Sequence, residues 1–311
     1  MDKIKAWLHT TVYKDFDIVV ASVDASFRRY YRLTNHLQSY IVMDSSLEKT
    51  SLQPFLDVTK KLLDVNVQAP KIIEEDIEEG YLLLEDFGST HYLDILNFEN
   101  FEELYKKAID EIIKMQTAST SDLPIYDKNF LIHEMDLMEK WYMKKLLPVS
   151  LSNEQKDIIN KTLDSIANVV LEQPQGLFVH RDFHSRNIML KDDSSVAIID
   201  YQDAMQGSIT YDLASLLEDS YIEFPREDIL KLVLYFRDKK GLDVDDETFI
   251  KWFDFTSMQR HIKVLGIFSR LFKRDGKQGY LQDIPLTLKY LFNTASLYDE
   301  TKALNRLLKE L

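Results

Sequence analysis

The run His180-Arg181-Asp182-Phe183-His184-Ser185-Arg186-Asn187-Ile188-Met189-Leu190, with Val196-Ala197-Ile198-Ile199-Asp200 beyond it, sets a carboxylate, an amide and a second carboxylate in a fixed order. A carboxylate beside a hydroxyl can take or orient its proton, and carboxylate and amide oxygens are hard donors that suit Mg²⁺. Phosphoryl transfer to an alcohol needs both, because the metal bridges phosphate oxygens and neutralises the developing charge. On that chemistry Asp182 serves the hydroxyl, and Asn187 and Asp200 hold metal. Taken singly, His-x-Asp and a strand-ending Asp are common turn formers, so order and spacing carry the reading. His180 and His184, four apart, suggest zinc as a competing metal. The glutamate of an H-E-x-x-H helix is missing, and Asp182 fits proton transfer better.

These residues need elements to position them. Before residue 88 the chain reads mostly as strand, at 27–34, 40–44, 71–77 and 81–86, from aromatic and β-branched enrichment. One helix interrupts, with Thr50 and Gln53 as a capping box and Leu52, Phe55, Leu56, Leu62 and Leu63 at helical spacing. After Phe87-Gly88-Ser89 long helices follow at 100–117, 127–146 and 153–171, the last opened by Ser152-x-x-Gln155. FVH (178–180) and VAIID (196–200) are read as a small hairpin, after which helices resume. The expectation is an α+β, bilobal fold: an N-terminal antiparallel sheet with one helix over 1–88, hinged near 85–88, and a larger, mainly helical C-terminal lobe over 89–311.

Composition narrows the partners. A chain of 311 residues exceeds the size at which one core usually stops growing, roughly 250–300 residues, so two lobes are expected. With 38 Lys+Arg against 52 Asp+Glu, a formal charge of -14 repels polyphosphate, so no nucleic acid is expected. Absence of cysteine removes thiolate nucleophiles, disulfides and Cys-ligated metals. The start has no apolar stretch behind a basic segment and no run reaches membrane-spanning length, so the expectation is a cytoplasmic protein with no membrane and no obligate protein partner. The segment 259–277 reverses the charge locally, with six Lys+Arg and one Asp. Its plain reading is a solvated helix face; the sharper one is that Arg260 or Lys263 meets an anionic group of a substrate.

The loop and its surroundings resemble the aminoglycoside phosphotransferase and choline kinase superfamily, which shares the protein-kinase fold but phosphorylates small molecules. DASFRRYYRL (24–33), YIVMD (40–44), YLLLEDFG (81–88), IDYQDAMQGSITYDLASLLEDSY (199–221) and QRHIKVLGIFSRLFKRDGKQGYL (259–281) are similar, more narrowly, to the bacterial anomeric kinases of N-acetylmuramate and N-acetylglucosamine in cell-wall sugar recycling. The likeness spans almost the whole chain.

The resemblance implies ATP and Mg²⁺ as cofactors and an amino sugar phosphorylated at C1, with ATP in the cleft between lobes. It places the nucleotide at Ser26, Arg28, Arg32, Glu85 and Phe87, the acceptor at Asp203, Arg186, Arg260 and Lys263, and structural anchors of the loop at Asp212 and His180. The β3 lysine of the wider superfamily is replaced near Met43, leaving Arg28 or Arg32 as the phosphate cation. Trp141 and Tyr142 offer aromatic faces to a sugar or simply pack in a core. Other readings are an aminoglycoside or small-alcohol phosphotransferase, which an acidic protein suits, and a nucleotide-binding pseudokinase, which the presence of Asp182, Asn187 and Asp200 disfavours.

Overall fold

The computed structural model describes residues 1–23 and 28–311. Ser26, expected at the phosphates, lies outside them. In chain order the elements are α1 (Asp2–Leu8), β1 (Asp17–Val23), β2 (Arg29–Thr34), β3 (Ser39–Asp44), α2 (Leu52–Asp64), β4 (Ile72–Asp76) and β5 (Tyr81–Glu85). There follow α3 (Tyr92–Ile95), α4 (Phe101–Met115), α5 (Lys128–Leu137), α6 (Asn153–Glu172), β6 (Leu177–Val179), β7 (Ile188–Leu190), β8 (Val196–Ile198) and β9 (Met205–Gly207). The chain then runs through α7 (Tyr211–Leu217), α8 (Arg226–Lys240), α9 (Asp246–Asp275), α10 (Ile284–Ala295) and α11 (Lys302–Lys309). Two compact units result, 1–91 with 187–203, and 92–186 with 204–311.

The first unit is built on an antiparallel sheet of order β1-β2-β3-β5-β4. Register places Tyr31, Val42 and Leu83 in one row, and alternation puts Leu33 on the same face. That face buries Ile4 and Leu8 of α1, each such side chain contributing roughly 1.5–3 kcal/mol. Neither α1 nor β1 stood out in the sequence. The helix has seven residues, and β1 is an edge strand whose Val19 and Val20 are exposed, so no buried stripe marks it. Thr50 and Gln53 do not form a box: Ser51 is the cap, without a side-chain bond, and Gln53 donates to Asp57 at 2.8 Å.

The sequence boundary at 88 left 187–203 with the helices, whereas in the structure this segment packs with the first unit. Leu190 N donates to Thr90 O and Ile198 N to Gln68 O, while Met189 and Ala197 pack on Phe87. The expected hairpin is also repartnered. VAI (196–198) pairs with Ile188–Leu190, and Leu177–Val179 pairs with Met205–Gly207. Both partners are three-residue strands, too short for a periodicity signal.

The second unit is helical around α9, thirty residues and about 45 Å long at 1.5 Å per residue. Ser152 and Gln155 form the expected capping box on α6. The segment read as one helix over 127–146 is α-helical only to Leu137, continuing as a wider π-helical turn over Met138–Leu146. Buried positions on α9 run from Phe249 to Ser269 and include Gln259, Arg260, His261 and Lys263, so this helix carries polar groups through the core. Its hidden charge is spent on the site described below. Among the described residues no helix is long and apolar enough to cross a membrane.

Gly266 lets α9 approach the end of α5 closely. A Cβ there would lie 2.4 Å from the Leu137 carbonyl carbon, and that backbone cannot swing aside. Gly266→Ala is therefore expected to destabilise the protein by about 1–3 kcal/mol despite its better helix propensity, read as a lowered urea midpoint. An unchanged or raised midpoint would contradict the close packing.

Candidate active site

In the second unit the loop after β6 is held by its backbone. Asp212 of α7 accepts from His180 N at 2.8 Å and Arg181 N at 3.0 Å. Asp219, beyond α7, accepts from the Ser185 N–H at 2.9 Å and from its hydroxyl. The Arg260 guanidinium of α9 donates to Arg181 O, and Asp182 N donates to His180 Nδ1 at 3.3 Å. Arg181 has φ +78°, a left-handed conformation uncommon for a non-glycine residue. With its neighbours fixed on either side, the loop presents Asp182 at a partly exposed position.

The charges around Asp182 explain its ionisation. Burial alone would raise its pKa, but cations led by Lys263, with Arg260 and Arg181, hold it well below the usual carboxylate range. His184 stands beside it too. Burial pushes that imidazole down to about 3, so it is neutral at pH 7 and adds no charge. Glu134 of α5 is the counterweight, bonded by Arg181 at 2.6 Å and by the Tyr126 hydroxyl, and lying 3.3 Å from Lys263. Burial pulls Lys263 down, against the Glu134 charge, and the lysine also donates to the Tyr211 hydroxyl at 3.2 Å.

A cavity of about 170 Å³ opens beside this group. Its lining includes the polar Asp182, His184, Arg260, Lys263, Ser215 and His261 and the apolar Val264, Ile267, Phe268 and Leu271. Ligand pockets usually run roughly 300–1,000 Å³, so this cavity suits one small ring. The solvated basic face expected at 259–277 is not what forms. Arg260 and Lys263 are buried at the site, while Arg274, at the end of α9, is exposed and bonded to Asp275 at 2.7 Å. Arg186 stacks over Tyr221, 3.6 Å from the ring centre, with Asp283 at 3.7 Å. Tyr142 packs in the core, and Trp141 is not part of the cavity wall.

In the first unit the β7–β8 hairpin sets Asn187 against Asp200. Ile199 N donates to Asn187 O at 3.0 Å, closing the ladder, and Asn187 Nδ2 lies 3.5 Å from Asp200 Oδ2. Asp200 has φ +66°, and Gln202 donates to its Oδ1 at 3.0 Å. Tyr201, next in sequence, is buried, stacked on Phe55 at 5.2 Å with its hydroxyl 2.8 Å from Thr59 Oγ1. Two oxygen-bearing side chains so placed fit Mg²⁺, which keeps waters and phosphates as its other ligands. Among the described residues no group of three or more His, Asp or Glu is placed to hold a metal ion. Asp203 is exposed and lies in this unit, apart in the chain division from Arg186, Arg260 and Lys263.

The nucleotide candidates divide by their contacts. Arg32 makes a bidentate pair with Asp86, at 2.7 and 3.1 Å, and donates to Gly88 O at 2.6 Å. Arg28 is buried, donates to Ser51 Oγ at 3.3 Å, and its charge bears on the Tyr201 hydroxyl. Glu85 faces Lys191 at 3.5 Å, and Phe87 joins Met189 and Ala197 in an apolar cluster. Met43, in the superfamily's lysine position, is fully buried.

Glu134, His184, Asp219 and His261 were not assigned from sequence. Glu134 sits three residues from the first turn of a helix in which His133, its neighbour, is exposed, and nothing local marks one as buried. His184 and His261 have a measurable consequence. Burial depresses them to about 3 and about 4, below the ordinary 6.5, so between those values and 6.5 the unfolded chain binds protons that the folded chain does not. Stability is thus present above pH 6.5 and lost as pH falls. Asp219, raised by burial to about 6, and Glu218, raised by burial and the Asp254 charge to about 8, act in the opposite sense over about pH 4–6 and 4.5–8, so the histidine contribution is read from a variant and not from the total. His184→Gln should remove up to about 1.4 kcal/mol per pH unit of stability loss on acidification from pH 6.5 toward pH 5, read as the difference between the urea-midpoint slopes of variant and parent. Identical slopes in variant and parent would refute a neutral His184.

Comparison with known proteins agrees with this geometry. The model of the phosphotransferase enzyme family matches residues 17–243. An N-acetylmuramate/N-acetylglucosamine kinase of Neisseria meningitidis serogroup B is 39% identical over 99% of this chain and 95% of its own. One of that name from Pseudomonas aeruginosa is 36% identical over 95% and 88%. Among solved structures, an aminoglycoside phosphotransferase complexed with gentamicin superposes with a TM-score of 0.66 at 15% identity, over 93% of this chain and 96% of that one. The choline kinase LicA from Streptococcus pneumoniae gives 0.65 at 15%, over 93% and 98%. These last two share the fold with this chain. A carboxylate loop, an Asn–Asp pair and a sheet-plus-helix architecture thus meet a family match over most of the sequence, and the chain belongs to the phosphotransferase enzyme family.

Proposed function

We propose that the chain is an ATP-dependent kinase that phosphorylates the anomeric C1 hydroxyl of N-acetylmuramate or N-acetylglucosamine, giving the sugar 1-phosphate. The observation that carries the reading is Asp182, ionised by Lys263, Arg260 and Arg181 at the wall of a cavity sized for a single ring. The names of the relatives supply the sugar. Buried Arg260 and Lys263 beside the acceptor space repel a polycation, which counts against an aminoglycoside acceptor.

In this mechanism Asp182 accepts a hydrogen bond from the C1 hydroxyl and aims its oxygen lone pair at the γ-phosphorus. An anomeric hydroxyl is more acidic than an ordinary alcohol, so alignment contributes more than proton removal. The Asn187 amide and the Asp200 carboxylate would hold Mg²⁺, which would supply charge neutralisation at the phosphates. Asp182 and Asn187 are five residues apart on one loop, so the covalent chain keeps them within about 18 Å even fully extended. Phe87, Met189 and Ala197 give a purine an apolar bed, with hinge backbone at Glu85–Phe87 for its polar edge. Arg28, whose charge bears on the hydroxyl of Tyr201, the neighbour of Asp200 in sequence, is the phosphate cation; Arg32 is committed to Asp86. Asp212 and His180 anchor the loop. Asp203 and Arg186 remain at the acceptor side in this proposal, Arg186 by its half-buried guanidinium stacked on Tyr221.

ADP release measured across free sugars, with ³¹P NMR to locate the phosphate at C1, tests the reaction. No turnover of any N-acetylated amino sugar would overturn it. Asp182→Asn is expected to lower kcat about 10²–10⁴-fold while ATP affinity survives, and retained turnover would remove Asp182 from its role. Lys263 is spent on Glu134 and Asp182, so Lys263→Met should lower kcat alike for muramate and glucosamine substrates. A rise in KM confined to N-acetylmuramate would instead make Lys263 the partner of the lactyl carboxylate.

A further inference from the structure

The cavity beside Asp182 follows one stripe of α9. Arg260, Lys263, Val264, Ile267, Phe268 and Leu271 all line it, and their spacing of three and four residues keeps them on a single helical face. Over that length the helix rises about 17 Å at 1.5 Å per residue. The stripe changes character on the way, cationic at its first two positions and apolar at the last four. Arg260 donates to Arg181 O, so the loop that carries Asp182 lies off the cationic end. Val264, Ile267 and Leu271 are half-buried, which leaves apolar surface open along the rest.

Two tyrosines flank that apolar end. Tyr280 belongs to the 3₁₀ turn Gln278–Asp283, which follows α9 and its left-handed Gly276. Its ring centre lies 5.2 Å from that of Phe268, twelve residues earlier, so the chain has folded back over the helix. Tyr221, beyond α7, stands 6.4 Å from the same Phe268. Both tyrosines line the cavity, and both are half-buried, with ring surface left for a ligand. Tyr221 already carries the Arg186 guanidinium 3.6 Å over its ring and meets His184 at 81°. Tyr280 rests on the apolar Phe268 at a tilt of 37°.

A ligand suited to this wall is polar at one end and has an apolar face behind it. A pyranose is built that way. Its ring is close in length to one helical turn, about 5.4 Å, and its C–H bonds, polarised by the attached oxygens, are drawn to the negative face of an aromatic ring. Its hydroxyls lie at the rim, where they stay available to polar groups.

We infer that Tyr280 is the stacking platform for the acceptor's pyranose ring, with the sugar laid along α9, its C1 end at the cationic part of the stripe and its C4 end toward Leu271. The inference rests on the sugar-kinase reading and adds how that kinase holds and orients the ring.

The test is steady-state kinetics of Tyr280→Leu and Tyr280→Phe with N-acetylglucosamine and N-acetylmuramate. An aromatic face binds ground and transition states alike, so Tyr280→Leu should raise KM for both sugars about fivefold to tenfold, with kcat and the KM for ATP within about twofold of the wild type. Tyr280→Phe keeps the ring and should give back most of the lost sugar affinity. An unchanged sugar KM in Tyr280→Leu overturns the inference, and so does a loss in Tyr280→Phe as large as in Tyr280→Leu, which would make the hydroxyl the contact. A crystal structure of the wild-type protein with N-acetylglucosamine does not depend on either variant folding. It should place ring carbons of the sugar within about 4.5 Å of the Tyr280 ring, with C1 nearer to Asp182 than C4 is. A sugar stacked on Tyr221, or laid across α9, overturns the inference too. No turnover of any N-acetylated amino sugar by the wild type is a different result: it sinks the function reading, and the inference with it.

Discussion

Two buried carboxylates holding one loop by its backbone are the constraint from which the rest of the site follows. Asp212 takes the N–H groups of His180 and Arg181, and Asp219 takes the N–H and hydroxyl of Ser185. Backbone donors inside a protein must be paired, and here both ends of the stretch 180–185 are paired to side chains of one neighbouring segment. Asp182 sits between the two clamps, so its backbone position is set from both sides. A loop tied through its side chains would have had fewer left for chemistry. Burial raises the pKa of both clamping carboxylates, which is the cost of placing them there, and the backbone N–H groups offset it.

The charge arrangement is the second layer. Lys263, Arg260 and Arg181 keep Asp182 ionised, but three buried cations facing it alone would be poorly compensated. Glu134 shares itself between Arg181 and Lys263 and is bonded by Tyr126, whose hydroxyl is 2.8 Å from that of Tyr211. The close approach of α9 at Gly266 to Leu137 fixes the helix that carries Lys263 against the helix that carries Glu134. A packing contact with no chemistry of its own thereby holds a distance on which the ionisation of Asp182 depends.

The sequence made some of this legible and hid the rest for physical reasons. Asp182, Asn187 and Asp200 stood out as candidates because metal and proton chemistry demand particular atoms in a particular order along one short stretch. Strands β2, β3 and β5 were readable because half-buried or buried strands enrich β-branched and aromatic residues. β7 and β9, three residues each, are defined by their pairing partners and leave no local pattern. Glu134 and His261 were hidden for a related reason: a buried polar residue looks like a surface residue until the surrounding helices are known. The basic run at 259–277 misled in the same way, since spacing along α9 does not say which lysine is solvated and which is enclosed.

That run also recasts the overall charge of -14. An excess of surface acid attracts cations at long range, yet a field decaying over about 8 Å at physiological ionic strength does not select an acceptor inside a cavity. Selection there depends on what lines the wall, and the wall is cationic next to Asp182 and neutral at His261. Buried cations at the wall discriminate by repelling like charge at short range, where salt screens little. An acidic protein with a locally basic, partly neutral pocket is therefore suited to an anionic or uncharged N-acetylated acceptor, and its net charge says little about that choice.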